Sequence, residues 1–217
     1  MSEICNQQQG LTDAMMEEKR PLAQSASTDM LGAMSDFYRA LERLEYGPTA
    51  GAVIPFLESG SVRLERAQLA LEGVRKVNAS NPSPGKYEKF LAWHRELDFD
   101  ALYDHGTQLG VLPAHIQQWR RLEEIHVQQG PLGVLDSLLS EIASLRSRVE
   151  RLVQQLQSES EAESGTNEST RTQVSVLDVA LTEFSAFGRM ISYVNEIEPM
   201  DSRWSKSPAA SVQDSHR

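Results

Sequence analysis

Residues 131–164 read PLGVLDSLLSEIASLRSRVERLVQQLQSESEAES. Within them Leu135, Leu138, Ile142, Leu145, Val149, Leu152 and Leu156 fall alternately three and four residues apart, without a miss. That spacing is the a/d seam of a coiled coil, held for about three heptads. A seam this regular lies against other helices. Just upstream, residues 113–129 carry a second helical pattern. Pro113 sits in its first turn, where a missing N–H costs nothing, and Ile116, Trp119, Leu122, Ile125 and Val127 line it. Gly130-Pro131 divides the two patterns.

Past Leu156 the periodicity dissolves. Residues 157–171 are acidic and Ser-rich, the composition of a solvated linker. Residues 172–198 form the C-terminal packing helix. Its seam is Val174, Leu177, Leu181, Phe184, Ile191 and Val194, widened by Phe187. Leu139 and Val153 sit at e positions of the first heptad helix, and Phe187 sits at g of the second. Apolar faces that wide suit a bundle of three or more helices better than a simple dimer. The two heptad segments can fold back as an antiparallel hairpin, or each can pair with another chain. The spacing leaves both arrangements open.

Toward the N-terminus, residues 1–27 are polar and read as a disordered extension, with residues 13–19 able to form a short helix. A helix is expected from Thr28, with Leu31, Met34, Phe37, Tyr38, Leu41 and Leu44 on its apolar face and Gly47-Pro48 ending it. Pro55 and Gly60 predict a break in the next segment, followed by a helix from Ser61 that carries Val62, Leu64, Leu69, Leu71, Val74 and Val77. Residues 78–85 are turn composition. Tyr87, Phe90, Leu91, Trp93 and Leu97 mark another helix, and residues 99–103 a short one that stops at Gly106. The fold class is therefore all-α: an elongated helical bundle or coiled coil with disordered tails. Residues 28–156 form the bundle, and residues 199–217 the C-terminal tail.

Composition narrows the function. The formal net charge is −10 over 217 residues. That argues against nucleic acid and anionic membranes as direct partners, since both are polyanions. Cys5 is the single cysteine, so the chain holds no internal disulfide or cysteine metal cluster, which fits a reducing compartment. Residues 1–6 lack the basic start and apolar run of a signal peptide. The longest apolar run, residues 50–57, is too short to span a bilayer, so direct membrane insertion is not expected. The protein reads as cytosolic.

The best enzyme-like group is His94, Glu96, Asp98, Asp100, Asp104 and His105, with His115 further on. His94 and Asp98 are four residues apart and can share a helix face, as metal ligands do. His94 and Glu96 cannot. A polar helix surface accounts for the group better than a metal site. Phosphate loops, G-x-S-x-G and H-E-x-x-H are absent from the sequence. The expectation is a chain with no catalytic residues, no metal and no cofactor.

Two stretches carry a resemblance. One is Leu41-Glu42-Arg43-Leu44-Glu45-Tyr46-Gly47-Pro48. The other is Leu112-Pro113-Ala114-His115, followed by Arg121-Leu122-Glu123-Glu124-Ile125-His126-Val127-Gln128-Gln129. In residues, order and spacing they resemble the dynactin subunit 3 family, the small shoulder subunit of dynactin. The matching positions are Tyr46, Gly47, Pro48, Pro113, His115, Ile125, His126, Gln128 and Gln129. The N-terminal extension, the acidic loop and the tail look longer than the family pattern. The resemblance implies a non-catalytic structural subunit that co-bundles with dynamitin and the large Glued subunit and supports dynein-based microtubule transport. It also implies a cytoplasmic, cytoskeleton-associated location at centrosome, kinetochore and microtubules. In that setting Leu135, Leu138, Ile142, Leu145, Val149, Leu152, Leu156, Leu177, Leu181, Phe184 and Ile191 are the partner-binding seam. The alternative from the residues alone is a self-contained coiled-coil tether or adaptor in another cytosolic complex.

Overall fold

The structure is a computed structural model that describes residues 2–45, 50–80, 84–161 and 168–195. The described residues are all helical, with no strand: α1 (Ser2–Glu45), a 3-10 turn (Ala50–Ala52), α2 (Ile54–Ser80), α3 (Pro84–Glu96), α4 (Phe99–Gln108), α5 (Pro113–Glu161) and α6 (Glu168–Asn195). None of the described helices is long and apolar enough to cross a membrane.

α1 starts at Ser2, well before the Thr28 that the sequence suggests. Ala23, Ala26, Met30, Ala33, Phe37 and Ala40 are buried. They too alternate three and four apart, so residues 23–27 belong to the bundle and not to a disordered extension. Four of these six are alanines, which give the seam little apolar bulk in the sequence. Of the apolar face expected from Thr28, Phe37 is buried and Met34, Leu41 and Leu44 pack half-buried against the core, whereas Leu31 and Tyr38 are 58% and 41% exposed. α2 answers with Leu57, Gly60, Leu64, Ala67, Leu71 and Val74, all buried. It is one helix, without the expected break. Pro55 is in its first turn, where proline is tolerated, and Gly60 is a packing position: a Cβ there would lie 2.3 Å from Cε1 of Phe37.

The α1–α2 contacts fix an antiparallel pair. Leu22 lies on Gly73, Asp29 pairs with Arg66, Asp36 accepts from Ser59 and Arg63, and Arg43 stacks on Phe56. Small residues on both seams let the two backbones approach closely, so dispersion contacts accumulate along the whole interface.

α5 is two helices joined at Gly130, whose φ of 72° and ψ of −169° are non-helical. The left-handed φ suits glycine, and Pro131 opens the second arm. The expected break at Gly130-Pro131 is thus present, and it is a full reversal. Arg121 Nη1 donates to Glu141 Oε1 at 2.9 Å across 20 residues; in a straight helix those residues would stand about 30 Å apart. The first arm therefore folds back along the second.

The second arm runs antiparallel to α2, through Arg75 with Asp136 and Arg146 with Gln68 and Glu65. It meets α6 at a buried Thr170–Glu159 hydrogen bond. Helical order thus enters both ends of the expected linker, with α5 reaching Glu161 and α6 starting at Glu168. α6 returns to α1, where Tyr38 hydrogen-bonds Thr182 and lies near Asp178; burial first, then that carboxylate, raises the Tyr38 pKa. Contacts thus run α1–α2, α2–α5, α5–α6 and α6–α1, closing a four-helix ring in up-down-up-down order.

Leu135, Leu138, Ile142, Leu145, Val149, Leu152 and Leu156 are all buried inside this ring, as are Leu177, Leu181 and Phe184. The seam assigned above to partner helices is filled by the chain's own α1, α2 and α6. Leu139 and Val153 pack half-buried against the same core, consistent with broad apolar faces surrounded by several helices. The Ile191 side chain and residues 199–217 lie outside the described residues.

Candidate functional site

α3, α4 and the first arm of α5 form a lobe beside the ring, and they bring together a connected cluster of aromatic and imidazole rings: Tyr87, Phe90, Trp93, His94, Phe99, Tyr103 and His126. The helix spacing of α3 puts Tyr87, Phe90 and His94 on one side, three and four residues apart. That side faces the first arm. Tyr87 donates from its hydroxyl to the Val127 carbonyl at 2.5 Å. Phe90 stacks on His126 with ring centroids 3.9 Å apart. His94 stacks on Phe99 of α4 at 4.5 Å, and Trp93 meets Phe99 edge-on at 5.8 Å.

Glu123 is the polar centre of the lobe. Its Oε1 lies 2.6 Å from His94 Nε2, and its Oε2 accepts from the Tyr103 hydroxyl. The carboxylate is only 18% exposed, so both bonds form where water competes weakly. Arg120, one turn earlier, pairs with Asp100 at 2.9 Å and lies 4.8 Å over the Tyr103 ring. A single carboxylate thus ties α3 and α4 to α5. Chemically, a His–Glu–Tyr chain can hold and share a proton, and here it anchors α4, a helix with no fully buried residue of its own.

His126 is 5% exposed. Burial, and secondarily the nearby His94, push its pKa down to about 4. It is therefore neutral near neutral pH, which lets it stack face-on against Phe90 without the cost of a buried charge.

The acidic and imidazole residues singled out from the sequence are dispersed. His94 is committed to Glu123. Asp98 caps α4, accepting from the Ala101 N–H at 3.0 Å. Asp100 takes Arg120. Glu96, Asp104 and His105 are exposed. His115 Nε2 lies 3.1 Å from the Thr182 carbonyl of α6, across the lobe–ring boundary. Among the described residues, no group of three or more His, Cys, Asp or Glu side chains converges as a metal site.

The positions carrying the resemblance divide similarly. Tyr46, Gly47 and Pro48 lie outside the described residues. Pro113 opens α5, His115 reaches α6, Ile125 packs against the ring core, and His126 fills the lobe. Gln128 and Gln129 are exposed just before the reversal. Glu123, Tyr103 and Arg120 went unrecognised as a group, because their contacts cross helices 17 or more residues apart and periodicity within one helix carries no trace of them. Comparison with known proteins finds no matching family model, curated protein or solved structure.

Proposed function

We propose that this chain is a non-catalytic structural subunit of a cytosolic assembly, and that the assembly is the dynactin shoulder, where it joins dynamitin and the large Glued subunit in support of dynein-based microtubule transport. Support for this comes from the two stretches that resemble the dynactin subunit 3 family, Leu41 to Pro48 and Leu112 to Gln129, in matching order. The observation that carries the structural half of the reading is how the second stretch is used. Leu122, Ile125 and His126 pack inward, and Glu123 gathers α3 and α4. Its chemistry-bearing groups hold helices together. In this reading the chain is cytoplasmic and cytoskeleton-associated.

One observation favours the second reading, a self-contained tether or adaptor of another complex. The heptad seam is closed within the chain, so association with partners would use the outside of the ring and the lobe rather than Leu135–Leu156. The experiment is expression of the full chain alone and together with dynamitin and the C-terminal part of Glued, followed by size-exclusion chromatography with light scattering. The shoulder reading expects the chain to move into a mixed assembly. A stable species that ignores both partners leaves the tether reading in its place.

A further inference from the structure

The outer face of α2 carries a stripe that nothing among the described residues covers. Pro55, Val62 and Leu69 recur every seven residues, hence on one side of the helix. Val62 is 55% exposed and Leu69 62%. Scattered exposed apolar residues are ordinary on any surface. These stand apart because of the charges beside them. Glu58 and Arg66 flank Val62, four residues before and four after, on the same side of α2, and both are exposed.

We propose that this face binds a second copy of the chain, with the two α2 helices crossing antiparallel about a twofold axis at Val62. The axis sets Val62 against Val62 of the other copy. Residues equally far before and after Val62 then oppose each other. Glu58 of each copy meets Arg66 of the other, each about 6 Å along the helix from the axis, and the twofold makes both ion pairs at once. A parallel crossing would set Glu58 against Glu58 and Arg66 against Arg66, so charge selects the antiparallel arrangement.

The same operation places Leu69 of one copy at Pro55 of the other. There a shallow open groove of about 360 Å³ is lined by Pro55, Glu58, Ser59, Val62, Arg63 and Arg66. Knob and groove thus lie on one helix, at the separation a twofold at Val62 requires. Arg66 already contacts Asp29 through Nη2 at 3.0 Å. A guanidinium has five donors, so it can bridge Asp29 and the incoming Glu58 together.

The test uses the full chain in size-exclusion chromatography with light scattering across a range of concentrations. The wild type is expected to reach twice the 24.2 kDa mass of one chain. Val62→Glu puts a charge at the axis of an exposed stripe. It should leave the helical circular dichroism unchanged and weaken dimerisation at least about tenfold. Glu58→Arg makes both ends of the contact positive, and Arg66→Glu makes both negative, so each alone should run as a monomer. Mixing the two variants should restore a dimer, because each positive end then meets a negative one. A wild type that stays monomeric at every concentration overturns the proposal. So does a dimer indifferent to Val62→Glu, or a mixture that fails to reassemble. If Val62→Glu instead releases a different protein from a monomeric chain, the stripe belongs to that partner and the second-copy assignment falls. None of these readouts depends on dynamitin or Glued, so this proposal and the shoulder reading fail separately.

Discussion

His126 is the residue where chemistry and packing are hardest to separate. Its ring is stacked on Phe90 at 3.9 Å, and burial, aided by His94, lowers its pKa from 6.5 to about 4. A base whose pKa is lower in the folded state binds fewer protons there than in the unfolded chain. Its contribution is therefore fully present above about pH 6.5 and declines as pH falls through the folded value near 4. Over that window the unfolded state holds the extra proton, and stability should drop by roughly 3 kcal/mol from this group alone. His126→Phe keeps an aromatic face for Phe90 and removes the titration. In urea unfolding at pH 7 and pH 4.5, the wild type should lose more stability than His126→Phe between the two conditions. Equal losses would show that other groups set the acid sensitivity. The groups around His126 constrain this expectation: Tyr87 is 6.1 Å away, and the imidazole of His94 is the nearby charge that opposes protonation.

At the scale of elements, the chain uses two kinds of seam. The second arm of α5 is Leu-rich and legible at sight. The α1–α2 seam is built on Ala23, Ala26, Ala33 and Ala40 facing Gly60 and Ala67, and gains from close backbone approach what it lacks in side-chain volume. Gly60 is its tightest point. Gly60→Ala would put a methyl 2.3 Å from the Phe37 ring, and helix propensity favours alanine by only about 1 kcal/mol. Overpacking a rigid ring commonly costs about 1–3 kcal/mol, so the net expectation is destabilisation. The check is a double-mutant cycle with Phe37→Leu. Gly60→Ala should cost less, or even stabilise, once the ring is gone. An additive cycle would mean the two residues do not share the contact. This element also marks what the sequence could and could not convey. Leucines at three-four spacing announce a seam, and so do Gly130-Pro131 a break. Alanines at the same spacing are silent to a reading that weighs apolar bulk, and Gly60 reads as a breaker until its partner ring is seen. The reversal at Gly130 needs the Arg121–Glu141 contact to reveal it. The Glu123 hub needs three helices.

For the whole molecule, the question is whether the Leu135–Leu156 seam is a core or an interface, and periodicity answers only that helices cover it. The ring formed by α1, α2, the second arm of α5 and α6 covers it from within. Leu145 is 3% exposed and Leu152 is 0% exposed. Aspartate at either position would leave a carboxylate in an apolar core, at a cost of several kcal/mol each, against a total stability typically of about 5–15 kcal/mol for a domain. Leu145→Asp with Leu152→Asp should therefore unfold the isolated chain, seen as loss of helical circular dichroism and of a cooperative melt with no partner present. An intermolecular seam makes the opposite forecast: the isolated double variant stays as helical as the wild type, or gains solubility, and only its assembly with partners fails. Val62→Glu supplies the contrast within the same molecule, because Val62 lies on the outside of the ring and should leave the fold intact. The pair of results separates the surface that builds this protein from the surface it has left to offer. If the double variant folds normally, the ring is not the state of the free chain, and the seam returns to its reading as a site for partner helices.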